Sequence, residues 1–256
     1  MNDSHQPNIP APRNIIAIAS GKGGVGKTCF SISLCHALAR KGKRVLLFDG
    51  DLGLANVDVQ LGLSPKLDLT SVIEGHATLK GAITRFDEGN FDIIAGRSGT
   101  GSLASLPAPL LSNLRMQLAD LSPAYDRVVL DLGAGINRTV QQLAASAGTT
   151  IVITTDEPTA LTDAYAFIKL NHTVIGAENI SVVVNMAPST REGLHTYETL
   201  LKACQNFLHI SPILAGVVRR DSRVRDAIRN QSPLFIRYPA CDAAADIENV
   251  AAKLLA

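Results

Sequence analysis

Eight consecutive residues, Gly21-Lys22-Gly23-Gly24-Val25-Gly26-Lys27-Thr28, satisfy the spacing GxxxxGK[ST]. The glycines let backbone N–H groups turn inward on phosphate oxygens, which side chains would obstruct. Lys27 can neutralise β- and γ-phosphate charge, and the Thr28 hydroxyl, opening a helix, can ligate Mg2+. Val25 and Cys29 belong to the same candidate nucleotide-binding set. Lys22 is surplus to that chemistry, because Lys27 already serves the loop's own phosphates, and a solvated surface lysine is its simplest reading. The segment also reads GxGxxG through Gly21, Gly23 and Gly26, with Asp49 about where a dinucleotide fold places its ribose-binding acid. A dinucleotide site does not account for Lys27-Thr28 or for the further acids, so a nucleoside triphosphate is the expected ligand.

Those further acids end apolar runs. Asp49-Gly50-Asp51 follows VLLF, and Asp131 follows VVL. Taken singly, such acids are common as helix caps or turn formers. Beside a phosphate loop they are placed to hold Mg2+ or its waters and to orient an attacking water.

The elements that must carry these groups follow from patterning. Short β-branched runs at 15–19, 45–48, 91–95, 128–132, 149–154, 180–185 and 213–218 read as strands buried on both faces. Helical stretches at 28–41, 108–121, 138–147, 159–175, 191–208, 221–230 and 242–255 alternate with them. The pattern implies an α/β fold: a doubly wound, mostly parallel sheet with helices on both faces and the ligand outside the carboxyl ends of the strands. Without internal repeat or linker, 14–256 reads as one domain and 1–13, MNDSHQPNIPAPR, as a flexible lead-in.

Composition narrows the classes. Apolar residues make up 46% and charged ones 18%, the balance of a packed globule, and the formal charge of +1 gives no global attraction to nucleic acid or membrane. With Phe 7, Tyr 4 and Trp 0, stacked-base platforms are excluded. Cys29, Cys35, Cys204 and Cys241 form no CxxC and no His-containing metal spacing, so a reduced, cytoplasmic chain without a zinc or iron-sulfur site is expected. The six histidines form no motif.

KGGVGKT resembles the deviant Walker A motif of the MinD/ParA family of ATPases, whose early lysine reaches the nucleotide of a dimer partner. The resemblance implies a P-loop ATPase that takes ATP and Mg2+ and forms a homodimer on ATP binding. Lys22 would sense the dimer and Lys27 would hold the nucleotide. Asp51 would position the hydrolytic water, with Asp49 near the metal and Asp131 as the Walker B acid. Gly133 and Gly135 in DLGAG would give a γ-phosphate-sensing loop its freedom. Asn185, after SVVV, and Asp221, after VVRR, match the positions where the family contacts adenine. Arg219 stands where relatives commonly carry proline.

Three stretches, DGDLGLANVDVQLGL (49–63), LTSVIEG (69–75) and DEPTALTDAYAFIKL (156–170) followed by NMAPSTREG (185–193), are similar to the FlhG/FleN branch of that family, which controls flagellar number and placement. The resemblance implies an enhancer-type flagellar transcription activator as partner, an SRP-like GTPase, FlhF, as a further one, and recruitment to the cell pole or inner membrane face. No DQAxxLR-like segment for activating that GTPase occurs in 1–13. The terminal stretch ADIENVAAKLLA carries one lysine and is expected to pack as a helix rather than anchor in a membrane.

Two alternatives of another kind remain at this point. Six arginines between 219 and 237 (RRDSRVRDAIRNQSPLFIR) would suit a ParA-type organiser that grips DNA phosphates, or else form a solvated helix face. A scaffold that binds nucleotide without turnover is the other, against which Lys27, Thr28, Asp51 and Asp131 argue.

Overall fold

A computed structural model describes residues 12–96 and 106–256. The expected lead-in falls mostly outside the described residues. From Pro12 the chain is tied down: the Pro12 carbonyl accepts from Ile15 N at 3.1 Å.

Eight strands join one sheet in the order β3-β4-β2-β5-β1-β6-β7-β8. They are β1 (Ile15–Ser20), β2 (Val45–Gly50), β3 (Thr84–Phe86), β4 (Phe91–Ile94), β5 (Arg127–Ala134), β6 (Thr149–Thr154), β7 (Ile180–Ala187) and β8 (Ile213–Arg219). All neighbours pair in parallel except β3 with β4. All seven strands expected from apolar runs are present. β3 escaped that reading because three residues, Thr-Arg-Phe, on the sheet edge leave no apolar run to detect.

The helices are α1 (Lys27–Arg40), α2 (Val57–Leu61), α3 (Leu69–Ile73), α4 (Ala108–Leu121), α5 (Arg138–Ala144), α6 (Pro158–Ile175), α7 (Thr190–Leu208), α8 (Ser222–Arg229), α9 (Leu234–Arg237) and α10 (Asp242–Lys253). The three unforeseen ones, α2, α3 and α9, are too short for a 3.6-residue period to register. None of the helices among the described residues is long and apolar enough to cross a membrane.

Strand pleating divides the core into two layers. On β1, Ile16 and Ile18 face a layer built with α1, α2, α8, α9 and α10, while Ile15, Ala17 and Ala19 face one built with α3 to α7. Burial on both faces is why these strands are continuously apolar rather than alternating. The terminal helix belongs to the first layer: α10 buries Ala243, Ala244, Ile247, Val250 and Ala251 against β8 and α1. The contact with β8 is close enough that a Cβ on Gly216 would come within 2.5 Å of Val250 Cγ2.

Gly216→Ala is therefore expected to overpack the α10–β8 contact and destabilise the fold by roughly 1–3 kcal/mol. Urea unfolding should show a lower midpoint with an unchanged slope; an unaltered midpoint would mean that α10 yields without cost.

Candidate functional site

The carboxyl ends of β1, β2, β5, β7 and β8 converge on one edge, where the sequence placed its chemistry. After β1 the chain turns through Gly24 and Gly26 at φ 81° and 87°, left-handed conformations that favour glycine. Gly26 is also sterically required, since a Cβ there would lie 2.5 Å from Asn185 Nδ2. Gly21 passes so near α6 that a Cβ would meet the Asp163 carbonyl oxygen at 2.1 Å. The loop thus reaches its shape by excluding side chains, leaving its amides for a ligand.

The two lysines of the loop part company. Lys27 is buried and its Nζ donates to Ser20 Oγ at 3.0 Å. Burial pulls its pKa below the ordinary lysine value, against the opposing charges of Asp131 and Asp51. Lys22 is one-third exposed, and its Nζ donates to Glu157 Oε2 at 2.6 Å and to Thr159 Oγ1 at 2.7 Å. Its partners come from the DEPT segment at the start of α6, not from the acids around Lys27.

Asp49 and Asp131 are register neighbours on β2 and β5 and both are buried. Ser31 Oγ donates to Asp131 Oδ1 at 2.9 Å, and the Thr28 hydroxyl bonds the same carboxylate. Asp49 accepts backbone N–H groups from Asp51 at 3.3 Å, Asn56 at 3.2 Å and Val57 at 3.1 Å, which ties the 51–57 loop to the strand tip. Asp51 Oδ1 accepts from Leu54 N at 3.0 Å, and the missing side chain of Gly133 lets β5 pass beside its carboxylate. Gly135, at φ 99°, donates to the Ser20 carbonyl at 2.9 Å. Burial, and behind it the charge of Asp131, pushes Asp49 up to about 8. Burial likewise pushes Asp131 up to about 6.

Asp131 and Asp51 act on Lys27, Asp49 adjoins both of these acids, and the carboxylate and hydroxyl donors are hard oxygens, which fits Mg2+. Among the described residues no three metal-ligating side chains form a ready-made cage. Mg2+ does not need one where phosphates and water complete its shell. Thr28 and Asp131 have the chemistry to hold it.

A cleft of about 840 Å³ leads from Gly26 and Cys29 past Asn185 and Asp221. Asn185 is buried, and its Nδ2 donates to the Val25 carbonyl at 2.8 Å, which leaves Oδ1 as an acceptor. Val25 is itself buried beneath the loop. Met186 adopts φ 55°, a strained left-handed conformation for a non-glycine residue, where β7 slips register before Ala187. Asp221 caps α8, accepting from Arg223 N at 2.9 Å, so its presence in the cleft has a structural role as well.

The structure thus brings Lys27, Thr28, Asp49, Asp51 and Asp131 together and lines the cleft with Gly24, Gly26, Cys29, Asn185 and Asp221, while it directs Lys22 to the start of α6. Unforeseen were Ser20 and Ser31, which hold Lys27 and Asp131, and the cleft-wall residues Ala243 and Ile247 of α10. Neither serine belongs to the motif spacing; only adjacency to Gly21 hinted at Ser20. Glu157 and Thr159 stood within a stretch noted for its identity alone, with no role attached. The arginine stripe is partly neutralised: Arg219 bonds Asp246 and Arg237 bonds Asp226, at 2.8 and 2.7 Å.

Comparison with known proteins concerns the chain as a whole. The family model for the CobQ/CobB/MinD/ParA nucleotide binding domain matches residues 16–234. The antiactivator FleN of Pseudomonas aeruginosa is 39% identical over 95% of this chain and 86% of its own length. The flagellum site-determining protein YlxH of Helicobacter pylori is 33% identical over 86% of this chain and 74% of its own. The septum site-determining protein MinD of Pyrococcus horikoshii, solved with Mg-ADP, superposes with a TM-score of 0.78 at 26% identity, covering 95% of this chain and 96% of that one. The family match over residues 16–234 and the likeness to FleN show that this chain belongs to the MinD/ParA family of nucleotide-binding P-loop ATPases.

Proposed function

We propose that the chain is an ATP-operated dimerising switch that regulates flagellar number or placement through a protein partner. The observation that carries the switch is the separation of the two loop lysines: Lys27 is buried beside Asp131 and Asp51, whereas Lys22 is partly exposed and bonded to Glu157 and Thr159. A lysine in that position is available to a second copy once it exchanges those two bonds for the partner's phosphate. Leu54 and Ile136, beside Asp51 and Gly135, are 74% and 44% exposed, and an apolar surface at the rim of a nucleotide site suits a face that a second copy covers. The flagellar role is supported by the similarity to FleN and YlxH. An enhancer-type activator of flagellar genes is the partner we infer, with FlhF as a further one. The DNA reading has less support, since Arg219 and Arg237 are engaged by acids of the same chain.

In the mechanism that these residues allow, backbone amides of 21–27 bind the phosphates and Lys27 offsets their charge. Mg2+, when bound, draws electron density from the phosphoryl oxygens. Asp51 orients the water for attack, Asp49 holds the loop that carries Asp51, and Asn185 offers Oδ1 to the exocyclic amine of adenine. Slow hydrolysis then returns the dimer to monomers.

Asp51→Ala should lower hydrolysis by roughly 100-fold through loss of water positioning while sparing binding. Light scattering after size exclusion should then find doubled mass with ATP and Mg2+ but not with ADP, and a second change, Lys22→Ala, should return the monomer. A mass indifferent to nucleotide would remove the switch.

The raised value of Asp49 also has a sign. A carboxyl that holds its proton more tightly when folded contributes stability that is complete near pH 4 and lost as pH rises through about 8. Between about pH 6.5 and 8.5, above the range of buried His36, whose value burial depresses to about 4, the thermal midpoint of the nucleotide-free chain should fall more steeply than that of Asp49→Asn. Equal slopes would mean that Asp49 is already ionised.

A further inference from the structure

The loop closing the base end of the cleft, Arg219-Arg220-Asp221, is gripped by α10. Asp246 accepts three hydrogen bonds from Arg219: the backbone N–H at 2.9 Å and Nε at 2.8 Å on Oδ2, and Nη2 at 2.9 Å on Oδ1. Arg219 Nη1 lies 3.0 Å from Asp242 Oδ1, one turn earlier on the same helix. The Asp246 side chain is only 12% exposed, and a forked, charge-assisted pair of this kind is stronger than a solvated surface ion pair. The backbone N–H matters as much as the guanidinium, because the same carboxylate that neutralises the side chain fixes the main chain where strand becomes loop.

The rest of the loop is held in the same way. Arg220 N donates to the Ala187 carbonyl at 2.8 Å, directly after the strained Met186. The Asp221 carboxylate bonds the thiol of Cys241, the residue that caps α10. Ala243 and Ile247, one turn apart on α10, line the cleft. One helix thus supplies both a wall of the cleft and the anchors of its rim, while the amides and Lys27 that face the phosphates lie elsewhere.

We propose that Arg219, clamped by Asp246 and Asp242, is a positioning residue for the nucleotide base, and that α10 sets base affinity independently of phosphate binding. The inference rests on the reading of the cleft as an ATP site and concerns only its base end.

The test compares two probes on the full chain by calorimetric titration in Mg2+: ATP, which engages both ends of the site, and inorganic tripolyphosphate, which engages only the phosphate loop. Arg219→Ala should weaken ATP by about tenfold and leave tripolyphosphate unchanged, since a charge-assisted hydrogen-bonded pair is removed only from the base end. Asp246→Asn keeps an oxygen for the backbone N–H but loses the charge, and should weaken ATP in the same selective way by a smaller factor. ATP affinity within twofold of wild type in both variants would overturn the clamp. Equal loss for both probes would also overturn it, marking a general fold defect. A wild-type chain that binds ATP no more tightly than tripolyphosphate would instead remove the base site on which the inference rests, so the two failures are distinct.

Discussion

The arrangement depends on burying acid at the tips of two neighbouring strands. Asp49 and Asp131 are register partners with almost no exposed surface, a combination that electrostatics penalises unless something compensates. The protein compensates in part, with Lys27, two hydroxyls on Asp131 and three backbone amides on Asp49. Burial still raises both acids above the ordinary carboxylate range, so a hard cation such as Mg2+ beside them would favour their ionised forms. Helix α1, which presents Lys27 and Thr28, and the 51–57 loop, which presents Asp51, are both held through these two acids.

Around that centre the structure separates tasks among elements. The phosphate loop deals with charge that any nucleoside triphosphate carries. The ends of β7 and β8, with α8 and α10, form the cleft that runs on from the loop. The start of α6, through Glu157 and Thr159, meets Lys22, the residue of the loop that has no part in the buried cluster. The buried acid cluster, the cleft and the Lys22 contact thus lie on different residues of one continuous edge.

Much of this was legible in the chain itself, for identifiable reasons. Phosphate chemistry requires specific residue types at fixed spacing, so Gly21 to Thr28 declares itself, and strands buried on both sides declare themselves as apolar runs. Contacts between distant segments leave no such trace. Ser31 looks like any helical serine until the fold sets it against Asp131, and Asp246 looks like a solvated helix acid until it meets Arg219. The three short helices and the edge strand β3 fall below the length at which periodicity is informative. The acids that meet Arg219 and Arg237 were hidden for the same reason: a local run of like charge says nothing about the acids that tertiary structure brings to it.

The position of α10 bears on biosynthesis. Chains emerge from the ribosome N-terminal end first, so the phosphate loop appears about two hundred residues before the helix that walls the cleft. Until Ala243 and Ile247 arrive, the nascent chain has the phosphate loop but lacks one wall of the cleft. The phosphate loop is thus made well before the wall that closes the cleft beside it, and the finished cleft awaits a helix that follows the eight described strands in the chain.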